Sequence, residues 1–229
     1  MSPGGPALPA VVDWGRREYA EALPAMRGLV RERRQGSIED TLVLVEHPEV
    51  VTIGVQGDDG LAAASGLPVV AVERGGHATY HGPGQLVGYP IVDLEPRGQD
   101  VRRFVRDVEE IVVRTVAEYG VVAGHVQGQP GVWVDGRRKI ASIGIAVDHW
   151  ITFHGFALNV DPDLTAFTRF RPCGQDGTIM TSLAKELGRP VGLADVRPRV
   201  RSAWEATFGP TPVRSGPTPS GDRELPSVA

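Results

Sequence analysis

The chain has 229 residues, 41% of them hydrophobic and 23% charged, which suits one ordinary globular domain with its own core. A net charge of −4 argues against a dedicated nucleic-acid binder, which carries a basic face, and no apolar stretch has the length of a membrane span. The single cysteine, Cys173, cannot form an internal disulfide, so a cytoplasmic protein with a reduced thiol is expected.

The first ten residues (Met1 to Ala10) are rich in Gly and Pro and lack the basic start and apolar run of a secretory signal. They are expected to be disordered, ahead of one catalytic domain over 11–208. Val11 to Trp14 reads as a strand. Arg16 to Arg34 has Tyr19, Leu23, Met26 and Val30 at helical spacing, with Pro24 expected to kink or delay the helix. Thr41 to Glu46, Val50 to Ile53 and Val69 to Val72 are short apolar strands. The glycine-dense stretch Arg74 to Gln85 reads as a loop, followed by a strand over Leu86 to Val92.

Asp100 to Tyr119 is the clearest helix, with one apolar stripe and Gly120 as its stop. Two hairpins follow. The first runs from Val132 to Val147 around Asp135-Gly136, a strong two-residue turn signal. In the second, Asp148-His149 turns the chain into Trp150 to Asn159, which would set Ser142 to Gly144 beside Phe153 to Gly155 and Lys139 near Leu158. Thr178 to Leu187 and Leu193 to Phe208 read as helices, and the Pro/Ser-rich tail 209–229 as disordered. Strands and helices mix without regular βαβ alternation, which points to an α+β (mixed α/β) fold with a mixed central sheet and flanking helices.

Lysine occurs at Lys139 and Lys185 only, against 22 arginines. An amine can give up its proton when desolvated and a guanidinium cannot, so Lys139, directly after Arg137-Arg138, stands out. Those two arginines, and Arg31, Arg33 and Arg34, read as solvated surface with room for a local basic patch.

Three segments can carry chemistry. Arg74 to Gln85 packs five glycines and prolines with Arg74, His77, Thr79, Tyr80, His81 and Gln85; glycines admit a ligand to the backbone and the polar side chains orient it. His77 and His81 are four apart, but the flanking glycines exclude the helix that a metal pair would need. Lys139 to Gly144 faces His154 to Asn159, with glycines inside good strand patterns. Arg171-Pro172-Cys173-Gly174 presents the lone cysteine on a loop. A reactive thiolate needs a base or cation beside it, and His81, His154 and Lys139 are all available by sequence.

Together these segments resemble the LipB family, the lipoyl(octanoyl) transferases. Arg74-Gly75-Gly76 with Thr79 to Pro90 is similar to that family's signature loop; Gly131 to Val134, Lys139 to Gly144 and Thr152 to Val160 match its central block, and Pro172-Cys173-Gly174 its nucleophile segment. Only Gln175-Asp176-Gly177 departs, being more polar than the family pattern. The resemblance runs from about Val12 to Phe208. It implies a fold like the catalytic domains of biotin and lipoate protein ligases. It also implies a Cys173/Lys139 dyad, and a substrate site of Arg74, Gly75, Gly76, His77, Ala78, Thr79, Tyr80, His81, Ser142, Ile143, Gly144, Gly155, Phe156 and Ala157.

The implied donor is octanoyl-acyl carrier protein, whose phosphopantetheine thioester makes a separate cofactor or metal unnecessary. The implied acceptors are lipoyl domains of 2-oxoacid dehydrogenase complexes and the glycine cleavage H protein. Ile143, Phe156 and Leu158 are the expected apolar walls, and a monomer is expected. The rival readings are an ATP-dependent ligase on the same fold, a cysteine hydrolase using Cys173 with His81 or His154, and a binding module without catalysis.

Overall fold

A computed structural model describes residues 9–57, 66–169 and 177–210. The expected disorder of both termini falls almost wholly outside these residues, and Cys173 lies outside them too. Among the described residues ten strands and four helices form an α+β domain: β1 (Ala10–Arg16), α1 (Tyr19–Arg34), β2 (Thr41–Glu46), β3 (Val50–Ile53), β4 (Val69–Ala71), β5 (Ala78–His81), β6 (Gln85–Ile91), α2 (Val101–Ala117), β7 (Ala123–Val126), β8 (Gln129–Val134), β9 (Arg138–Asp148), β10 (Ile151–Asn159), α3 (Leu183–Leu187) and α4 (Leu193–Phe208). None of the described helices is long and apolar enough to cross a membrane.

Seven strands make one mixed sheet in the order β1-β2-β6-β10-β9-β8-β7. Only β1 and β2 run parallel within it. Side chains alternate across a strand, and this alternation sorts the core. Leu42, Leu44, Leu86 and Leu158 pack with the α2 stripe (Phe104, Val108, Ile111) and with Trp204 of α4. Val43, Val45, Val87 and Tyr89 face the other way, onto Met26 and Val30 of α1. A smaller sheet, β4-β3-β5, packs Val51, Ile53, Ala78 and Tyr80 against Phe167 and Met180.

Several boundaries differ from the sequence reading. Helix α1 starts at Tyr19, three residues later than expected, and runs on through Pro24, which is exposed. Strand β5 forms inside the stretch read as loop, because flanking glycines hide a four-residue alternation. β7 was not expected at all. The expected helix from Thr178 is instead a 3₁₀ turn (Gly177–Ile179), a bridge from Met180 to Lys139, and then α3, whose N-cap Ser182 accepts a hydrogen bond from Lys185 N–H. The chain there gives its backbone groups to β9 before the helix can begin.

The hairpin between β9 and β10 has a different register from the expected one. Asp148 pairs with Ile151, and His149 and Trp150 form the two-residue turn with φ of 47° and 65°. Both positions thus take the left-handed conformation that the favoured hairpin turn requires. Moving the turn by one residue moves the pairing by two. Gly144, Ile143 and Ser142 therefore lie opposite Gly155, Phe156 and Ala157.

A buried charge cluster ties α1 to the end of β6. Asp40, with no solvent exposure, accepts from Arg33 Nε at 2.8 Å, Arg97 Nη2 at 2.8 Å and the Asp93 N–H at 3.0 Å. Removing one partner from such a cluster leaves a buried charge uncompensated, a loss of about 3–5 kcal/mol. Asp40→Ala is expected to lower the unfolding free energy by that amount in urea titrations, with Asp40→Asn milder. A loss below about 1 kcal/mol would mean the cluster is peripheral to folding.

Candidate active site

The segment Glu73–His77 is folded around its own arginine. Arg74 donates from Nη1 to the carbonyls of Gly75 (3.0 Å) and His77 (2.9 Å), and from Nη2 to Thr52 O (2.8 Å) and Oγ1 (2.9 Å). The Gly75 N–H donates to Ile145 O at 3.0 Å, which anchors the loop to β9. Space for the guanidinium stem exists because two neighbours are glycine. A Cβ at Gly54 would stand 2.8 Å from Arg74 Nη1, and one at Gly144 would stand 2.7 Å from Arg74 Cδ. Arg74 therefore organises the loop through bonds to the backbone, a role that the planar fork suits and lysine cannot copy.

Over this loop lies a small cavity of about 40 Å³. Of the residues singled out by sequence, Arg74, Gly76, His77, Thr79, His81, Ser142, Ile143, Gly144, Gly155, Phe156 and Ala157 line it. Three do not. Ala78 and Tyr80 alternate to the opposite face of β5, where they pack in the smaller core, and the Tyr80 hydroxyl donates to Glu49 at 3.0 Å. Gly75 faces a separate groove on the outer side of its loop. Leu158, an expected wall, is in the main core and does not reach the cavity.

Four further residues complete the lining: Tyr19, Val87 and Tyr89, which the sequence did not place in the substrate site, and His154, which it offered only as a partner for the thiol. Val87 and Tyr89 lie within the signature segment, and their position on β6 was the available signal. Tyr19 reads as an ordinary core residue of an amphipathic helix, and no sequence signal distinguishes it.

Buried aromatic side chains stack and hydrogen-bond within and behind this lining. His47 donates from Nδ1 to Arg17 O at 2.7 Å, so in the neutral ring Nε2 accepts from the Tyr89 hydroxyl at 2.7 Å. Tyr19 stacks on His81 with a 5.8 Å centroid separation, and its hydroxyl lies 3.4 Å from His154 Nδ1. His154 takes φ of 58° within β10 and donates its N–H toward Met26 Sδ. Such a conformation is costly for a residue with a Cβ and concentrates at functional sites. Its Nε2 is 3.7 Å from Glu73 Oε2, a carboxylate that also holds Arg27 at 2.7 Å.

Burial governs the charge state of these rings, because desolvation disfavours the charged form. It lowers His47 to about 4 and puts His81 well below the ordinary histidine value, with His47 and Arg74 adding to the effect. His154 is lowered too, chiefly by burial. Tyr89 is raised by the same cause. Beside them Glu73 is held down at about 2, first by the His154 ring. The buried rings of His47, His81, His154, Tyr19 and Tyr89 are thus neutral at neutral pH, beside the guanidinium of Arg74.

Lys139 stands three residues before Ser142 on β9, with only 5% exposure. Its Nζ is 5.2 Å from the Trp133 ring centroid, within the range of a cation–π contact. Gly131 admits it. Its φ of 127° is a glycine conformation, and a Cβ there would stand 2.5 Å from Lys139 Cε. Glu109 of α2 fixes that glycine, accepting its N–H at 2.9 Å while the other carboxylate oxygen meets His125 at 2.8 Å.

The Lys139 backbone also receives the chain that returns from Cys173. Its carbonyl accepts the Thr181 N–H at 3.0 Å, and it bridges to Met180. Upstream, the two described flanks of the cysteine segment meet, since Gly177 packs against the Phe167 carbonyl. Among the described residues no three His, Cys, Asp or Glu side chains converge as a metal site.

Residues 18–205 match the model of the lipoyl protein ligase A/B catalytic domain. The chain is 46% identical over 195 residues to an octanoyltransferase of Geotalea uraniireducens, covering 85% of this chain and 91% of that one. It is 42% identical over 217 residues to an octanoyltransferase of Geobacter sulfurreducens, covering 95% and 90%. Among solved structures, a putative lipoate protein ligase from T. acidophilum with bound lipoic acid superposes with a TM-score of 0.67 at 18% identity, covering 89% and 86%. Biotin protein ligase from Aquifex aeolicus with biotin and ATP gives 0.51 at 10% identity, covering 88% and 70%. At these identities the two structures establish a common fold.

The buried histidines make stability depend on pH in a defined direction. Their folded pKa values lie below the unfolded value near 6.5, so between those values the unfolded chain binds more protons than the folded one, and stability rises with pH. Their contribution is complete above about 6.5 and is lost as the pH falls toward about 4, where His47 titrates in the fold. Melting curves from pH 7.5 down to 4.5 are expected to show Tm falling steeply below 6.5. A flat profile through that window would mean that the three rings are protonated in the fold.

Proposed function

The chain belongs to the LipB octanoyltransferases, within the lipoyl protein ligase A/B catalytic-domain family, and we propose that it moves an octanoyl group from octanoyl-acyl carrier protein to the acceptor lysine of lipoyl domains. The step passes through a thioester on Cys173, in the cytoplasm, as the entry to protein lipoylation. The observation that carries this reading is Lys139, a buried lysine in an arginine-rich chain, held by β9 where the chain returns from the cysteine segment.

The Cys173 thiolate attacks the carbonyl carbon of the donor thioester. The carbonyl π electrons move to oxygen, and the oxyanion collapses with loss of the pantetheine thiolate, which takes up a proton. The acyl group is now on Cys173 sulfur. In the second half the acceptor amine attacks the same carbon, the C–S bond to Cys173 breaks, and the amine gives up a proton. Lys139 serves both halves: as the ammonium it favours the thiolate and gives its proton to the departing pantetheine sulfur, and as the neutral amine so left it accepts the acceptor amine's proton, which restores the ammonium beside the freed thiolate. A thioester is exchanged for a thioester and then an amide, so no ATP is consumed.

Backbone N–H groups of the Arg74 loop and of the cysteine segment suit the oxyanion. The Gly75 N–H is already spent on Ile145, which leaves those of Gly76 and His77 in the loop. Ile143, Phe156, Val87 and Ala157 offer apolar walls to the acyl chain, and its entry requires the small cavity to widen.

Intact mass spectrometry after mixing with octanoyl-acyl carrier protein, without ATP, tests the first half. One octanoyl adduct is expected on the wild-type chain and none on Cys173→Ser, and the adduct should vanish when a lipoyl domain is added. Transfer that appears only with ATP would make the chain a ligase and Cys173 a bystander. Lys139→Arg keeps a positive charge but cannot accept a proton, so a loss of kcat of at least about hundredfold is expected. Near wild-type turnover in that variant would remove proton transfer by Lys139.

A further inference from the structure

Beside the cavity, across the Glu73–Gly75 segment, an open groove of about 1810 Å³ runs between α1 and the start of α2. We propose that this groove is the docking surface for the acidic carrier protein that brings the acyl thioester, an inference that rests on the transferase reading above.

The groove is lined by five arginines and four carboxylates, in a chain of net charge −4. Arg27, Arg31 and Arg34 stand on one face of α1, spaced by four and three residues, and Arg102 and Arg106 stand one turn apart on α2; all five are exposed and all line the groove. Arg27 is engaged by Glu73, and no carboxylate among the described residues lies within 4.0 Å of the other four.

Carboxylates line the groove as well, but each has a partner. Glu73 holds Arg27, Glu109 holds His125 and the Gly131 N–H, Asp100 caps α2 through the Arg103 N–H, and Asp148 lies 2.6 Å from His149. Each of these acids is bonded within the fold, whereas Arg31, Arg34, Arg102 and Arg106 are exposed with no carboxylate of the described residues in reach. Arg33, between them in sequence, is turned inward to Asp40, so the outward set is the remainder of the α1 cluster.

Charge complementarity selects the donor over the acceptor. The donor's thioester arm is joined to its protein through a phosphodiester, a group that the arginine fork binds through paired hydrogen bonds. The acceptor must present a lysine amine, which a run of guanidinium groups repels. The groove also adjoins the loop of the cavity: Glu73 and Gly75 line the groove, while Arg74 and Gly76 line the cavity. A carrier seated in the groove is next to the loop over which its arm must pass.

The test uses the full chain with Arg31→Glu/Arg34→Glu together, beside wild type and Arg201→Glu on α4 as a control of equal kind elsewhere. Transfer to a fixed lipoyl domain is measured with octanoyl-acyl carrier protein and with octanoyl-pantetheine, which has neither the acidic protein nor the phosphate. The double variant is expected to lose about tenfold or more in kcat/KM with the carrier donor, through KM, and to stay within about twofold with pantetheine. Added salt should weaken the wild type toward the variant with the carrier donor only. Equal loss with both donors, no loss with either, or a raised KM for the lipoyl domain instead would overturn the docking surface. A wild-type chain inactive with both donors would overturn the transferase reading, and the docking surface with it.

Discussion

The guanidinium of Arg74 is the interaction on which the rest of the site depends. Four hydrogen bonds tie it to Thr52 on β3 and to the carbonyls of its own loop, and the next residue's N–H ties that loop to β9. The small sheet and the large sheet are thereby locked together at one point. A guanidinium satisfies several carbonyls in one plane, which is why a single residue can hold a loop whose glycines would otherwise leave it with many conformations. Its position beneath the cavity has a second effect: it helps keep His81 neutral. One residue thus sets both the shape of the wall and part of its electrostatics.

The neutral rings around the cavity and the buried Lys139 occupy separate places. The imidazoles and phenols stand beside the Arg74 guanidinium, while the amine is kept in a slot made by Gly131 and Trp133. That slot is built from outside. Glu109 on α2 holds the Gly131 N–H, Gly131 leaves room for the lysine stem, and Thr181 and Met180 close it from the other side. Moving any of these changes where the amine stands without touching the cavity. The α2 helix, whose stripe packs the core, therefore also sets the geometry of the reactive end.

Most of the architecture was legible because it follows from periodicity. The α2 stripe, the apolar strands and the mixed order of elements all appear in the sequence, and the signature loop and the β9–β10 pair were visible as glycine-punctuated runs. What was not legible lies where side-chain identity does not report backbone conformation. His149 and Trp150 give no turn signal, yet both take positive φ, and that choice sets the register of the hairpin. Ala78 and Tyr80 sit in the same run as Thr79 and His81, and only the existence of β5 divides them between two faces. Tyr19 joins the site through the packing of α1 over the sheet, a tertiary fact with no local signature.

His154 stands where the core, the cavity and the rim of the groove meet. It follows Phe153, whose ring belongs to the core under α1, and it precedes Gly155, which lines the cavity. In an ideal strand consecutive residues alternate faces, and a positive φ interrupts that rule at this residue. The imidazole is thereby set between Tyr19 on one side and Glu73 on the other. Glu73 is in turn the partner of Arg27 on the rim of the groove. A chain of polar contacts, Arg27 to Glu73 to His154 to Tyr19, thus runs from the rim of the groove to the cavity, beside the apolar cluster of Met26 and Phe153.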